Sequence, residues 1–252
     1  MKRAHLARSA SSADGYLPGL DGLRGVAVAA VVVFHFSRDV LPGGYLGVDA
    51  FFVLSGFLIT RLLLREAVSG RIGLGHFWSR RARRLLPALF LYLAAVIVFV
   101  MVSAEASQLE QMRREILATV FYLANWEQIV SGVSYFAPFA EPSPLRHTWS
   151  LAIEEQFYWL WPLVLLVILP RVAAGRRLAV IATLALAASI SAPVTAAVWS
   201  SAAAYFTTWT RSAEILVGAA LATWTARSVM PGWVGRLAWP SLAAILVLGA
   251  VT

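Results

Sequence analysis

Between His147 and Tyr158 the chain reads HTWSLAIEEQFY, and an apolar run continues through Trp159 to Leu169. A histidine, a serine, two adjacent glutamates and a tyrosine thus enter a stretch that otherwise reads as membrane-spanning. These side chains can move protons or hold charge. On a helix, Ser150, Glu154 and Tyr158 recur every four residues and line one stripe. His147, Glu154 and Trp161 recur every seven and lie close to it. Glu155 projects about 100° away, so the two carboxylates face different surroundings. The stripe first suggests a serine nucleophile flanked by histidine and glutamate.

A second set lies upstream. A charge at mid-bilayer costs about 2.5 kcal/mol or more, so an ionisable group inside a span is a functional candidate. Arg24 and His35 are 11 residues apart, close to three turns. They project from nearly one face, roughly 16 Å apart along the axis. A neutral imidazole within VVVFHFS offers both a base and a donor. Its plain alternative is a buried histidine satisfied by one hydrogen bond. Asp49 follows the Gly43–Gly44 turn, which returns the chain beside the first helix. There it is placed either to orient His35, as in a catalytic dyad, or to sit hydrated at the interface. His35 is a better-placed base than Ser150 is a nucleophile. Ser55 and Gly56 suit close helix packing more than attack.

In HFWSRRARRLLP, Arg81 and Arg84 share a helical face. Arginines at a membrane edge suit phosphate groups through bidentate hydrogen bonds, although any positive-inside loop also gathers them. Arg211 and Glu214, three residues apart, are placed to neutralise one another, or Arg211 to meet Glu154 between helices.

The elements that must carry these residues follow from composition. The chain of 252 residues is 60% hydrophobic and 13% charged, with a mean hydropathy of +0.73. A soluble domain is nearer half apolar and about a quarter charged. Continuous runs such as LVLLVIL exclude the alternation of a membrane β-barrel. The expected fold is an all-α polytopic transmembrane helix bundle of about seven or eight spans. Candidate spans lie at 24–41, 44–64, 85–102, 148–169, 178–199, 205–226 and 233–252, with a weaker one at 115–130. Residues 1–18 form a basic tail and 19–252 the membrane domain. The first apolar run lacks a small-residue cleavage site and reads as a retained helix. The last run stops at Thr252 without a polar flank, so the chain is expected to be short at its C-terminus.

Net charge is +8, but the basic residues collect between apolar runs, which argues against nucleic acid. There is no cysteine, and the four histidines show no metal-ligand spacing. The richest basic loop, with Arg65, Arg71, Arg80, Arg81, Arg83 and Arg84, belongs inside, as do Lys2, Arg3 and Arg8. PRVAAGRR at 170–177 also belongs inside only if 115–130 does not cross. That segment holds Asn125, Glu127 and Gln128 and reads as interfacial or re-entrant, which places His147 at the outer mouth.

Taken in order, LDGLRGVAVAAVVVFHF, GGYLGVDAFFVLSGFLIT, FWSRRARRLLP, HTWSLAIEEQFYWLWPL and YFTTWTRSAEILVGAALA resemble the acyltransferase 3 family of bacterial integral-membrane O-acyltransferases. The resemblance implies transfer of an acyl group, usually acetyl, from cytoplasmic acyl-CoA to a hydroxyl of a surface polysaccharide, peptidoglycan, another glycan or a macrolide. It implies that Arg24 and His35 are the functional pair of the first helix and that Arg81 and Arg84 are the paired arginines. Asp49 matches the acidic position after the double glycine, and Glu154 the glutamate of the serine–glutamate–tyrosine block. Members generally carry further spans, and some a soluble esterase-like domain.

The expected mechanism has His35, oriented by Asp49, as base, with Arg24 steadying the oxyanion and Arg81 and Arg84 holding the phosphates of acyl-CoA. Glu154 is a charge partner of the site, and His147, Ser150, Tyr158 and Arg211 form its acceptor side. No cofactor or metal is expected to be held permanently. The partners are acyl-CoA, a carbohydrate or glycoside acceptor and the lipid bilayer of the bacterial cytoplasmic membrane. The alternatives are a transporter of a polar or anionic solute, or an inactive short family member.

Overall fold

Long apolar runs become helices because a backbone in hydrocarbon must satisfy its own N–H and C=O groups. The computed structural model describes residues 18–70, 72–103, 108–132 and 143–226. Its elements are α1 (Pro18–Phe36), a 3-10 turn (Pro42–Tyr45), α2 (Leu46–Val68), α3 (Leu74–Ser103), α4 (Leu109–Val120) and α5 (Ala124–Val130). They continue with α6 (Thr148–Arg171), a 3-10 turn (Ala174–Arg176), α7 (Arg177–Val198), α8 (Ser201–Phe206) and α9 (Thr208–Thr225). Among the described residues, five helical segments are long and apolar enough to cross a membrane: those ending at Phe36, Val68, Ser103, Arg171 and Val198. Leu91, Val98 and Met101 on α3, Leu160 and Val167 on α6, and Leu186 and Ile190 on α7 are exposed. Apolar belts of this kind face lipid.

Three expectations are revised. The third span begins at Leu74 and not near residue 85, so Arg80, Arg81, Arg83 and Arg84 lie on a helix and not in a loop. The segment 115–130 is broken: α4 has 12 residues and α5 has 7, and a span needs about 20. The break is at Tyr122, whose φ of 55° is left-handed. The run 205–226 is also interrupted, at Thr207, which ends α8 and precedes α9 in an extended conformation. The expected tail at 1–17, Arg71 and the run 233–252 lie outside the described residues.

The chain divides into two compact units, residues 1–54 with 231–252, and residues 55–230. In the first, α1 packs on the 3-10 turn and the start of α2. A Cβ at Gly44 would overlap the carbonyl of Ala30, and one at Gly47 that of Ala27. Glycine at both positions lets the two backbones touch. The Arg24 guanidinium lies over the Phe51 ring, 5.0 Å from its centroid.

In the second unit, α7 packs on α9, and α5 packs on α6. Leu89, Leu93, Val96 and Val100 of α3 form one buried stripe with Met112 of α4 and Leu145. Tyr92 adds a hydrogen bond of 2.6 Å to the carbonyl of Pro144, which seats the start of α6 against α3. Short of that stripe, Glu66 ties the end of α2 to α3, at 2.8 Å from Arg80. A Cβ at Gly56 would overlap the backbone carbonyl of Ile215 on α9.

Gly56→Ala therefore forces α2 and α9 apart and is expected to cost about 1–3 kcal/mol. Gly75→Ala is the control, because nothing lies within 4 Å of its new Cβ. Thermal unfolding of both variants in detergent should show a lowered midpoint for Gly56→Ala alone.

Candidate active site

The centre of the second unit is polar, and α6 supplies most of it. Glu154 and Glu155 are both buried, at 8% and 6% exposure. Glu155 meets Arg81 of α3, with Nη2 donating to Oε1 at 2.6 Å. The same guanidinium stacks on the Tyr158 ring, 3.5 Å from its centroid. Glu154 Oε1 accepts from the Tyr158 hydroxyl at 2.5 Å and from Ser55 Oγ of α2. Ser55 and Tyr158 also share a hydrogen bond. Two carboxylates, one guanidinium and two hydroxyls thus form a single cluster drawn from α2, α3 and α6.

Proline helps to position it. Pro162 has no N–H, so the carbonyl of Tyr158, four residues earlier, has no helical donor. Trp78 Nε1 supplies one at 3.1 Å, and its ring stacks on Trp159 at 5.0 Å. This docks the first turns of α3 onto the middle of α6, three residues before Arg81. Trp161 Nε1 donates to Thr60 Oγ1 of α2 at 2.8 Å.

A second polar group backs the first. Gln156 Nε2 donates to the carbonyl of Tyr122 at 2.6 Å and to Asn125 Oδ1 at 3.0 Å. Asn125 in turn donates to the carbonyl of Phe206 at 3.0 Å, and Thr208 Oγ1 donates to Gln156 Oε1. These bonds hold the left-handed Tyr122 corner and the α8–α9 break against α6. Burial pushes the Tyr122 phenol above its usual range; Glu155 adds to that and Arg81 opposes it. Tyr122 is a neutral hydroxyl at physiological pH.

The sequence-predicted residues fall as follows. Glu154 and Tyr158 meet, as their spacing requires. Ser150 instead donates to the carbonyl of His147 on its own helix, at 3.2 Å. His147 is exposed at the start of α6, with its ring 5.5 Å from that of Tyr92. Arg81 is engaged with Glu155, while Arg84 is exposed. Arg211 donates to the carbonyl of Tyr205 at 2.7 Å and pairs with Glu214 at 3.4 Å, the nearer of its two expected partners. In the first unit, Arg24 and His35 lie on α1 and Asp49 in the first turn of α2. His35 Nδ1 lies 2.8 Å from the Val31 carbonyl. That oxygen only accepts, so Nδ1 carries the proton and the basic lone pair is on Nε2. Ser55, Trp78, Gln156 and Thr208 are the residues that sequence reasoning left out of the site. The one signal present for them was Pro162, which frees a carbonyl that a donor must fill.

Residues 17–252 match the acyltransferase domain of the acyltransferase 3 family. The chain belongs to that family. It is 44% identical over 211 residues to the putative peptidoglycan O-acetyltransferase YrhL of Bacillus subtilis, an alignment covering 82% of this chain and 33% of that protein. It is 42% identical over 212 residues to the O-acetyltransferase OatA of Staphylococcus aureus, covering 82% and 34%. The peptidoglycan O-acetyltransferase OatA of Listeria monocytogenes is 41% identical over 217 residues, with the same coverage. The chain therefore spans about a third of the length of these relatives. No solved structure matches it. With the five apolar helical segments, membership in the family makes this an integral membrane protein of all-α, polytopic architecture.

Glu155→Gln leaves the Arg81 charge without its partner and is expected to lower stability by about 3–5 kcal/mol. The double variant Arg81→Met/Glu155→Met removes both charges and should recover most of that loss. Chemical unfolding in micelles checks both; an equal loss in the double variant would show that the ion pair is not the source.

Proposed function

We propose that this chain is the membrane module of a cell-envelope O-acyltransferase, carrying acetyl from acetyl-CoA to a hydroxyl of a wall glycan. The observation that supports it best is the buried cluster of Ser55, Arg81, Glu154, Glu155 and Tyr158, in a family whose named relatives are O-acetyltransferases. Buried charges this costly are kept inside membrane proteins where they serve a site.

In this reading the N-terminus faces the cytoplasm of a bacterial inner membrane. The exposed Arg83 and Arg84 meet the phosphates of acetyl-CoA, because Arg81 is already neutralised by Glu155. His35 Nε2 removes the proton of the acceptor hydroxyl as that oxygen attacks the thioester carbonyl. The new C–O ester bond forms, the C–S bond breaks, and the CoA thiolate takes the proton back from the imidazolium. Asp49 and Arg24 serve the charges that develop on the ring and on the carbonyl oxygen. Glu154, held by Ser55 and Tyr158, is a fixed acceptor for donors of the incoming substrate. A solute transporter has no use for an acyl donor, so donor binding separates the two readings.

His35→Ala is expected to cut acyl transfer about 100-fold or more, read by mass spectrometry of envelope glycans from cells carrying the wild-type or variant gene. Transfer near the wild-type rate would remove His35 as base. Arg83→Ala/Arg84→Ala should weaken acetyl-CoA binding to the purified protein about tenfold, the loss of one charge-assisted contact. Unchanged binding would take the donor site away from this edge.

A further inference from the structure

Where α4, α5 and the start of α6 meet, Glu115, Thr119, Glu127, Gln128, Arg146 and Thr148 line a small open pocket. It has room for about one water-sized group. None of these residues belongs to the cluster around Glu154. The pocket is walled by acceptors. Glu115 accepts from Gln111 at 2.9 Å and from Ser143. Glu127 is tied to Arg114 at 3.3 Å. The Thr119 and Thr148 hydroxyls are 3.0 Å apart and bond one another; Thr148 also donates to the carbonyl of Leu145 at 2.7 Å.

Gln128 is the unexplained member. It is 7% exposed. Its Nε2 donates to the carbonyl of Arg146 at 2.5 Å, which settles which end of the amide is oxygen. That oxygen, Oε1, is buried and has no hydrogen-bond partner among the described residues. A buried amide oxygen without a donor costs about 1–3 kcal/mol, so it calls for a donor from outside the fold.

We infer that this pocket seats a hydroxyl or N-acetyl amide group of a neutral sugar. The ligand must donate hydrogen bonds, since the unmatched atom and both carboxylates accept. It carries no net charge, because Glu115 and Glu127 are balanced by Arg114 and Arg146. Two carboxylates also repel an anion, and among the described residues no three acidic or histidine side chains gather to hold a metal ion. Thr148 at the pocket is six residues from Glu154, about 9 Å along α6. One sugar held here places its neighbour on the way to the buried cluster. The assignment rests on the acyltransferase reading for its choice of ligand, and it makes the pocket the anchor of the acceptor chain.

The test is binding of N-acetylglucosamine trimer to the full chain in nanodiscs, without acyl donor, by calorimetry. Gln128→Met and Glu115→Gln keep side-chain volume and should each weaken binding about tenfold at unchanged melting temperature. In the wild-type protein, hydrogen exchange over residues 115–131 should slow when the trimer is added, which needs no variant to fold. Equal binding in both variants, no protection over that segment, or competition by inorganic phosphate would each overturn the pocket assignment. If the trimer binds through the pocket yet His35→Ala leaves acyl transfer intact, the catalytic reading fails and the sugar site stands. If transfer depends on His35 and the variants bind normally, the sugar site fails alone.

Discussion

Two neighbouring carboxylates share the interior of one helix with a single guanidinium, and the second unit is arranged around that imbalance. Arg81 matches Glu155 at 2.6 Å. Glu154 is left with the neutral donors Ser55 and Tyr158. Neither carboxylate could be buried alone, since an unpaired ion loses several kcal/mol of hydration. Each partner comes from a different place in the chain, so the cluster forms only when α2, α3 and α6 are all in position. Arg81 serves twice, because the ring it stacks on belongs to the tyrosine that holds Glu154.

The rest of the polar interior secures α6 from its other sides. Gln156 reaches the Tyr122 corner and Asn125, and Thr208 closes the ring from α9. These contacts join irregular pieces of backbone to a regular helix. A helix break in hydrocarbon is tolerable only where other groups satisfy it. The Tyr122 and Thr207 breaks are therefore expected next to side chains such as Gln156 and Asn125.

The sequence carried the bundle well and the site in part. Spans such as 148–169 and 178–199 were legible because lipid-facing helices need long apolar runs and nothing else. The Glu154–Tyr158 bond was legible because four-residue spacing is local geometry. Ser55 was not, as it lies 99 residues from Glu154; its adjacency to Gly56 suggested packing, and the structure gives it a hydrogen bond as well. The start of α3 was placed too late because hydropathy cannot see a helix rich in arginine. The Tyr122 break left no signal, since tyrosine has no local preference for a left-handed backbone. At the Arg211–Glu214 pair, two partners were open, and the nearer along the chain is the one observed.

Pro162 has a consequence beyond the hydrogen bond it frees. Because Trp78 holds the Tyr158 carbonyl while Arg81 and Ser55 hold the next turn toward the N-terminus, α6 is keyed to its neighbours at two heights. Sliding by one residue would unseat the indole and the carboxylates together. This helix behaves as the fixed post of its unit, and whatever must open to admit a donor or release a product has to swing around it.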